Sequence, residues 1–360
     1  MKHNKLNQLS ISGYKTFKQL HNFELRPLNI LIGPNGAGKS NFIDFLIFLK
    51  EIIFQRMQLY VNKKGGADAH LYLGPKETRH ITGSFITNNY EYKFSLEPTV
   101  DNRLIFFNES IVENRNQLII DKGHNESKLK ECSNRLANIV YDVISQFTAY
   151  HFHDTCETAY IRRQHTIRDN EKLRSDGQNL AAFLFHLKNN YQDHYHLIVD
   201  TIQIVAPFFN DFMLRPKLQT NGDQLIELEW SQKNTDYPFH PSQLSDGTLR
   251  FIALLTALLQ PEPSPVMLFD EPELGLHPDA LNVLAGVFKQ ASLNTQIIVA
   301  TQSDILLNSF DAEDVIIVDR VNGASTLRRL NTKDLEEWLT NYTMGELWQK
   351  NMLEGGQFCD

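Results

Sequence analysis

The sequence predicts an α/β fold with a mostly parallel core sheet, an antiparallel β subdomain and a helical insertion. Three features point there. In the last third of the chain, short apolar runs (PVMLFDEP, TQIIVATQS, DVIIVDR) alternate with apolar-faced helical stretches (LSDGTLRFIALLTALL, LHPDALNVLAGVFKQA), the pattern of a parallel sheet covered on both faces. Between about Ile81 and Ile120, the segments ITGSFI, YEYKFSL and RLIFFNESIV alternate in polarity and are separated by NN and PTVDN, which reads as an antiparallel meander. Near the start, LNILIGPNGAGKSNFIDFLIFLKEIIF is a strand, a glycine-rich turn and a long apolar-faced helix.

The remaining elements follow in order. From about Asp121 to Phe212 the chain is polar and helical in pattern, with NLAAFLFHLKNNY and YHLIVDTIQIVAPFF as its amphipathic stretches, and LIELEW then alternates like a strand. The expected division is 1–120, an N-terminal lobe with the glycine-rich loop and meander; 121–235, a mainly helical insertion; 236–322, a C-terminal lobe; and 323–360, a tail. Within the tail, DLEEWLTNYTMGELWQKNM is a candidate docking segment, against the plainer expectation that Trp338, Tyr342, Leu347 and Trp348 pack onto the lobes.

Composition narrows the function. The 360 residues are 42% hydrophobic, with 23 Phe and 12 Tyr, enough to bury a large core. Lys and Arg total 35 against 43 Asp and Glu, a net charge of -8, which argues against a surface that grips nucleic acid everywhere and leaves room only for a local basic patch. Cys132, Cys156 and Cys359 are scattered, with no C-x-x-C pair, so neither a disulfide framework nor a thiolate zinc site is expected. The N-terminus lacks a signal-peptide core, and FIDFLIFLKEIIF is interrupted by Asp44, Lys50 and Glu51, so a soluble cytoplasmic protein without membrane attachment is expected.

GPNGAGKS satisfies G-x-x-x-x-G-K-[ST] between a strand and a helix, the context that a phosphate loop needs. Gly33, Pro34, Asn35, Gly36, Ala37 and Gly38 would wrap phosphate oxygens with backbone N–H groups, aided by the positive end of the helix that Lys39, Ser40 and Asn41 begin. Lys39 would pair with the β and γ phosphates of ATP, and Ser40 would give Mg²⁺ a hard oxygen. PVMLFDEP ends an apolar strand on two carboxylates: Asp270 to hold Mg²⁺ directly or through water, Glu271 to orient and deprotonate the attacking water. LSDGTLR puts Ser245 and Gly247 at the start of an apolar helix, a second anion site. Two phosphate-binding helix starts in one chain suggest a two-fold dimer in which each γ-phosphate lies between one subunit's loop and the other's LSDG.

The ordered set ISGYKTFKQLHNFELRPLNILIGPNGAGKSN, LSDGTLR, FDEPELGLHP and ATQS resembles the ABC-type ATPase heads of the RecF, SMC and OLD proteins, within the AAA-labelled bacterial ATPases. The resemblance implies a P-loop NTPase fold and ATP-driven dimerisation with hydrolysis at paired composite sites. It also implies a D-loop at Glu273 to His277 and an adenine contact near Thr16 to Lys18. Two departures stand out. The family's Q-loop glutamine has no counterpart in HLYLGPKE, where it is expected, and Gln302 stands where many such ATPases carry a switch histidine. An amide can donate to phosphate or hold water but cannot titrate near neutral pH, so Glu271 is left as the base, assisted by Gln302.

The resemblance leaves the biological setting open between two readings. One is a sensor or motor ATPase of an anti-phage defence or toxin-type system with a separately encoded effector, a nuclease or toxin. This reading suits a chain with no effector domain after DVIIVDR, where about 40 residues are too few for a Toprim domain. The other is a RecF-like repair ATPase that clamps DNA. Three weaker features remain. HFHDTCE carries metal-capable types, with His151 and His153 sharing a strand face or His153 and Glu157 a helix face, and packing or a dimer contact is the expectation there. Arg162, Arg163, Arg168, Lys172 and Arg174 read as a solvated helix face before a nucleic-acid groove. NTKD at Asn331 has the wrong order for guanine selection.

Overall fold

The structure, a computed structural model, describes residues 5–87, 90–114, 116–220 and 222–353. Cys359 and the NN turn of the meander lie outside these. Two six-stranded sheets organise the molecule. The core sheet runs Ala324–Arg329, Val315–Val321, Leu28–Ile32, Gln296–Thr301, Val266–Asp270, Thr148–Tyr150, and only its first pair is antiparallel. The second sheet, Phe17–Glu24, Gln8–Tyr14, Ile81–Thr87, Tyr90–Pro98, Leu104–Glu113, Asn116–Asp121, is antiparallel throughout.

The helix Lys39–Ile53 lies between the two sheets. Phe42, Phe45, Phe48 and Leu49 share one core with Leu31, Leu268 and Ile298 of the parallel sheet and with Phe85, Tyr92 and Phe94 of the meander. Burial from both sides explains why this helix is apolar nearly all round. On the other face of the parallel sheet, Ile30, Ile32, Met267, Phe269, Ile297 and Val299 pack with the helices Leu180–Asn190, Gln192–Val205, Asp246–Leu259 and Pro278–Ser292. The core strands are therefore buried on both faces, as their continuous β-branched runs predict. Among the described residues no helix is long and apolar enough to cross a membrane.

The structure departs from expectation in two places, and at the tail it follows the plainer of two expectations. The stretch after Asp121 has the helices Arg135–Ser145, Leu180–Asn190 and Gln192–Val205, but also gives the core sheet its edge strand Thr148–Tyr150, too short to carry a periodic signal. LIELEW splits into parts of two short strands, Gln224–Ile226 and Trp230–Gln232, in different small sheets. The break is a tight turn closed by Glu229 N–H to Glu227 O at 2.9 Å, and the Glu227 carboxylate is drawn to Lys217 and His240. The tail packs onto the lobes: Leu347 is fully buried, and Gly345 lies against the Asp304 carbonyl, with its N–H on Asn308 Oδ1 at 2.6 Å.

One buried charge interrupts the helix between the sheets. The Asp44 carboxylate accepts from Tyr14 at 2.6 Å and Tyr60 at 2.5 Å, and from the ammonium groups of Lys15 and Lys64. Burial opposes its ionisation, but the Lys15 charge and the hydrogen bonds from Lys15, Lys64 and Tyr14 outweigh that and hold its pKa well below the usual carboxylate range. Asp44→Ala should cost about 3 kcal/mol in urea unfolding at pH 7, because it leaves buried donors unpaired. The sign of the pH dependence follows from the depressed pKa: the stabilisation is complete above the unfolded-state value and is lost only as pH falls through the lower folded value. The gap between wild type and variant should therefore hold constant down to about pH 5 and close only in stronger acid.

Candidate nucleotide site

The parallel register gathers strand ends at one edge of the sheet. Ile32 pairs with Thr301, and Asp270 with Ala300, so Gly33, Glu271 and Gln302 all leave their strands at the same level. From Gly33 the chain turns through Gly36 (φ 78°) and Gly38 (φ 117°) into the helix at Lys39. A side chain at Gly38 would need positive φ and would strike Ser325 and Thr16, so glycine is required there. Ser325, in the segment expected as a tail, is part of this cradle. Its hydroxyl donates to the Ala37 carbonyl at 2.5 Å, and its N–H donates to Thr16 O at 2.7 Å, bracing the loop from the C-terminal hairpin. The readable signal was Asn322-Gly323, whose positive φ angles of 49° and 82° are those of a tight hairpin turn.

Lys39 is buried, its ammonium donating to the carbonyls of Gly33 at 2.6 Å and Pro34 at 3.1 Å. Burial lowers its pKa, while Glu271, Asp270 and Glu273 oppose that shift. Ser40 Oγ donates to Asp270 Oδ1 at 3.3 Å. Burial raises the Asp270 pKa and the neighbouring Glu271 adds to it, against the Ser40 hydrogen bond. A hydroxyl and a carboxylate beside a phosphate loop are the hard-oxygen donors that Mg²⁺ prefers, so the donor set fits that ion. Asn41 Nδ2 donates to Thr16 Oγ1 at 3.0 Å, which puts Thr16 at the flank of the loop.

Glu271 has φ 45°, uncommon for a residue with a side chain, and its N–H is fixed on Ala300 O at 2.8 Å. Its Oε1 accepts from Gln302 Nε2 at 2.5 Å, so the two residues expected to act in catalysis touch each other. Glu273 Oε1 accepts the Gln302 backbone N–H at 2.7 Å.

Ser245 caps the helix Asp246–Leu259, its Oγ accepting from Thr248 N–H at 3.1 Å. Among the described residues no hydrogen bond joins Ser245 or Gly247 to the phosphate loop; Gly247 packs against the Gly275 carbonyl, so closely that a Cβ would clash. Two arginines hold this region. Arg250 donates to Phe152 O at 2.9 Å, His153 O at 3.0 Å and the Leu274 carbonyl. Arg162, expected on a solvated helix face, is instead buried at the end of a short 3₁₀ turn. It donates to Thr155 O at 2.7 Å, to Leu244 O at 3.1 Å, to Pro241 O and to Asp246 Oδ1 at 2.7 Å. Arg163, Arg168, Lys172 and Arg174 are exposed, as expected, but lie on loops and not on a helix.

HFHDTCE forms a loop after the edge strand, and its His153 lines a small pocket with Arg250, Asp270 and Glu271. No cluster of three or more metal-capable side chains occurs among the described residues. HLYLGPKE, where the resemblance implies a Q-loop glutamine, packs by Tyr72 N–H on Gly13 O at 3.0 Å, and the His70 carbonyl accepts from Lys15 N–H at 2.8 Å.

Comparison with known proteins agrees with this architecture. An Smc head bound to the C-winged helix domain of ScpA is similar with TM-score 0.61 and 15% identity, over 92% of this chain and 99% of that one. An Smc head domain with an extended coiled coil, bound to the C-terminal domain of ScpA and derived from Pyrococcus furiosus, gives TM-score 0.57 and 15% identity over 93% and 98%. No curated protein matches the sequence. A family model described as "AAA domain, putative AbiEii toxin, Type IV TA system" matches residues 28–308, most of the chain. With the phosphate loop and paired carboxylates at one sheet edge, this protein has the P-loop fold of an ABC-type Smc head and belongs to that AAA domain family.

Proposed function

We propose that this protein hydrolyses ATP as a dimer, each nucleotide held between the phosphate loop of one subunit and the Ser245–Gly247 helix start of the other. In this reading the dimer is the sensor or motor of a toxin-type or anti-phage defence system, with a separately encoded effector. The observation that carries the enzymatic part is the convergence of Lys39, Ser40, Asp270, Glu271 and Gln302 at one sheet edge, while among the described residues no hydrogen bond joins Ser245 or Gly247 to it. The toxin-type setting is favoured by the description of the family.

The loop N–H groups and Lys39 bind the phosphates, Lys39 exchanging its two loop carbonyls for phosphate oxygens. Ser40 and Asp270 would hold Mg²⁺, which supplies charge neutralisation at the transferring phosphoryl group. Glu271 accepts a proton from the attacking water. Gln302 has two amide hydrogens, one engaged on Glu271 Oε1 and a second available to a phosphate oxygen or to the water.

Lys39→Ala should lose ATP binding, measured with a fluorescent ATP analogue. Glu271→Gln should keep that binding, lower kcat at least 100-fold and accumulate as a dimer in light scattering. Normal turnover in both variants would refute the assignment.

The composite geometry makes a sharper prediction by mixing inactive subunits. Ser245→Arg and Lys39→Ala should each be inactive alone. Mixed in equal amounts they should recover about a quarter of wild-type activity, because half the dimers then hold one intact site of two. If each site were built within one subunit, the mixture would remain inactive.

A further inference from the structure

The assigned catalytic pair does not explain what aims Gln302. It lies past the end of the strand Gln296–Thr301, exposed, at a point where the sheet ladder no longer fixes its peptide. The bond that replaces the ladder comes from Glu273, whose Oε1 takes the Gln302 N–H at 2.7 Å. The Gln302 amide then reaches Glu271 at 2.5 Å, two residues before Glu273 in the same turn. One short segment thus holds Gln302 twice, by its backbone and by its side chain.

The segment itself is anchored from the other side. Arg250 donates to the Leu274 carbonyl, and the Gly275 carbonyl lies against Gly247. Glu273 stands between those anchors and the Gln302 strand end. Its second oxygen, Oε2, is buried with no hydrogen bond of normal geometry, the Thr301 hydroxyl lying beside the carboxyl. Burying a carboxylate oxygen without a full set of partners costs free energy, so the contact made by Oε1 is one the fold retains against that cost.

We propose that Glu273 is a positioning residue for hydrolysis: it fixes the Gln302 peptide and so aims the Gln302 amide at Glu271. Glu273 touches neither the nucleotide nor the water; it acts through Gln302, and it joins the helix that begins at Ser245 to the strand end that carries the amide. Burial raises its pKa, against the Gln302 hydrogen bond, which agrees with a carboxyl held in place by a backbone donor and not by a cation. The inference rests on the reading of Glu271 and Gln302 as the hydrolytic pair.

The test is a set of single-turnover rates at saturating ATP, with nucleotide affinity measured in parallel. Glu273→Ala should slow hydrolysis at least tenfold while the affinity for a fluorescent ATP analogue stays within twofold. Glu273→Gln keeps a carbonyl acceptor for the Gln302 N–H and should return the rate to within threefold of wild type. In a Gln302→Ala background, Glu273→Ala should change the rate less than twofold, because its effect is already spent. Should Glu273→Ala not fold, Glu273→Met fills a similar volume without an acceptor and carries the same expectations. Equal slowing in both backgrounds, or no slowing at all, would overturn the proposal. Wild-type turnover that survives Lys39→Ala would instead overturn the ATPase reading beneath it.

Discussion

The register of three parallel strands is the constraint on which everything else depends. Leu28–Ile32, Gln296–Thr301 and Val266–Asp270 are apolar except at Asn29, Gln296, Thr301 and Asp270, and both faces of each are buried. Side chains alternate between two different cores, so a slip of one residue would exchange Leu268 with Phe269, and Ile298 with Val299, across the sheet. It would also shift Asp270 and Glu271 by about 3.3 Å relative to Lys39, enough to break a hydrogen bond. The chemistry at the sheet edge is thus set by packing far inside it.

Loops cannot be fixed by such packing, and here two guanidinium groups do it. Arg250 and Arg162 are both buried, and between them their donors engage carbonyls of Phe152, His153, Thr155, Pro241, Leu244 and Leu274. Only a planar fork with five donors can satisfy acceptors spread in this way; a lysine offers three from a single point. Burying each charge is costly, and among the described residues Asp246 pairs with Arg162 and also lies near enough to favour the Arg250 charge. What the cost secures is geometry: the start of the Ser245 helix, the loop carrying His153 and the turn carrying Glu273 are held as one unit.

The geometry of the candidate site was legible where a local backbone demand selects the residue. A phosphate loop needs glycine at Gly38 because of positive φ and close approach, and strand ends needed only apolar runs to be found. Arg162 was not legible, because its exposed neighbours Arg163 and Arg168 give the same charge pattern whether or not one member turns inward. Thr148–Tyr150 was missed because three residues show no period, and Ser325 because its role comes from a contact with Ala37 almost the whole chain away. Long-range hydrogen bonds leave no periodic trace in a sequence.

The contact between Gln302 and Glu271 bears on how fast such a site can turn over. The Glu271 carboxylate already accepts the Gln302 amide, so a water approaching it shares that oxygen with the amide or takes the other. The same residue carries φ 45°, a conformation that costs of order 1 kcal/mol for a side-chain-bearing residue and persists only where surrounding bonds impose it. Here Ala300 supplies that bond from the neighbouring strand. Strain and hydrogen bond act together: the backbone thrusts the Glu271 carboxylate out of the sheet edge, and the amide sets its direction. A histidine in place of Gln302 could take up a proton and give it back, leaving Glu271 less to do; an amide cannot. On the proposed reading the proton from water ends on Glu271 while the amide holds its carboxylate, and slow hydrolysis with a long-lived ATP-bound state is the behaviour expected of that arrangement.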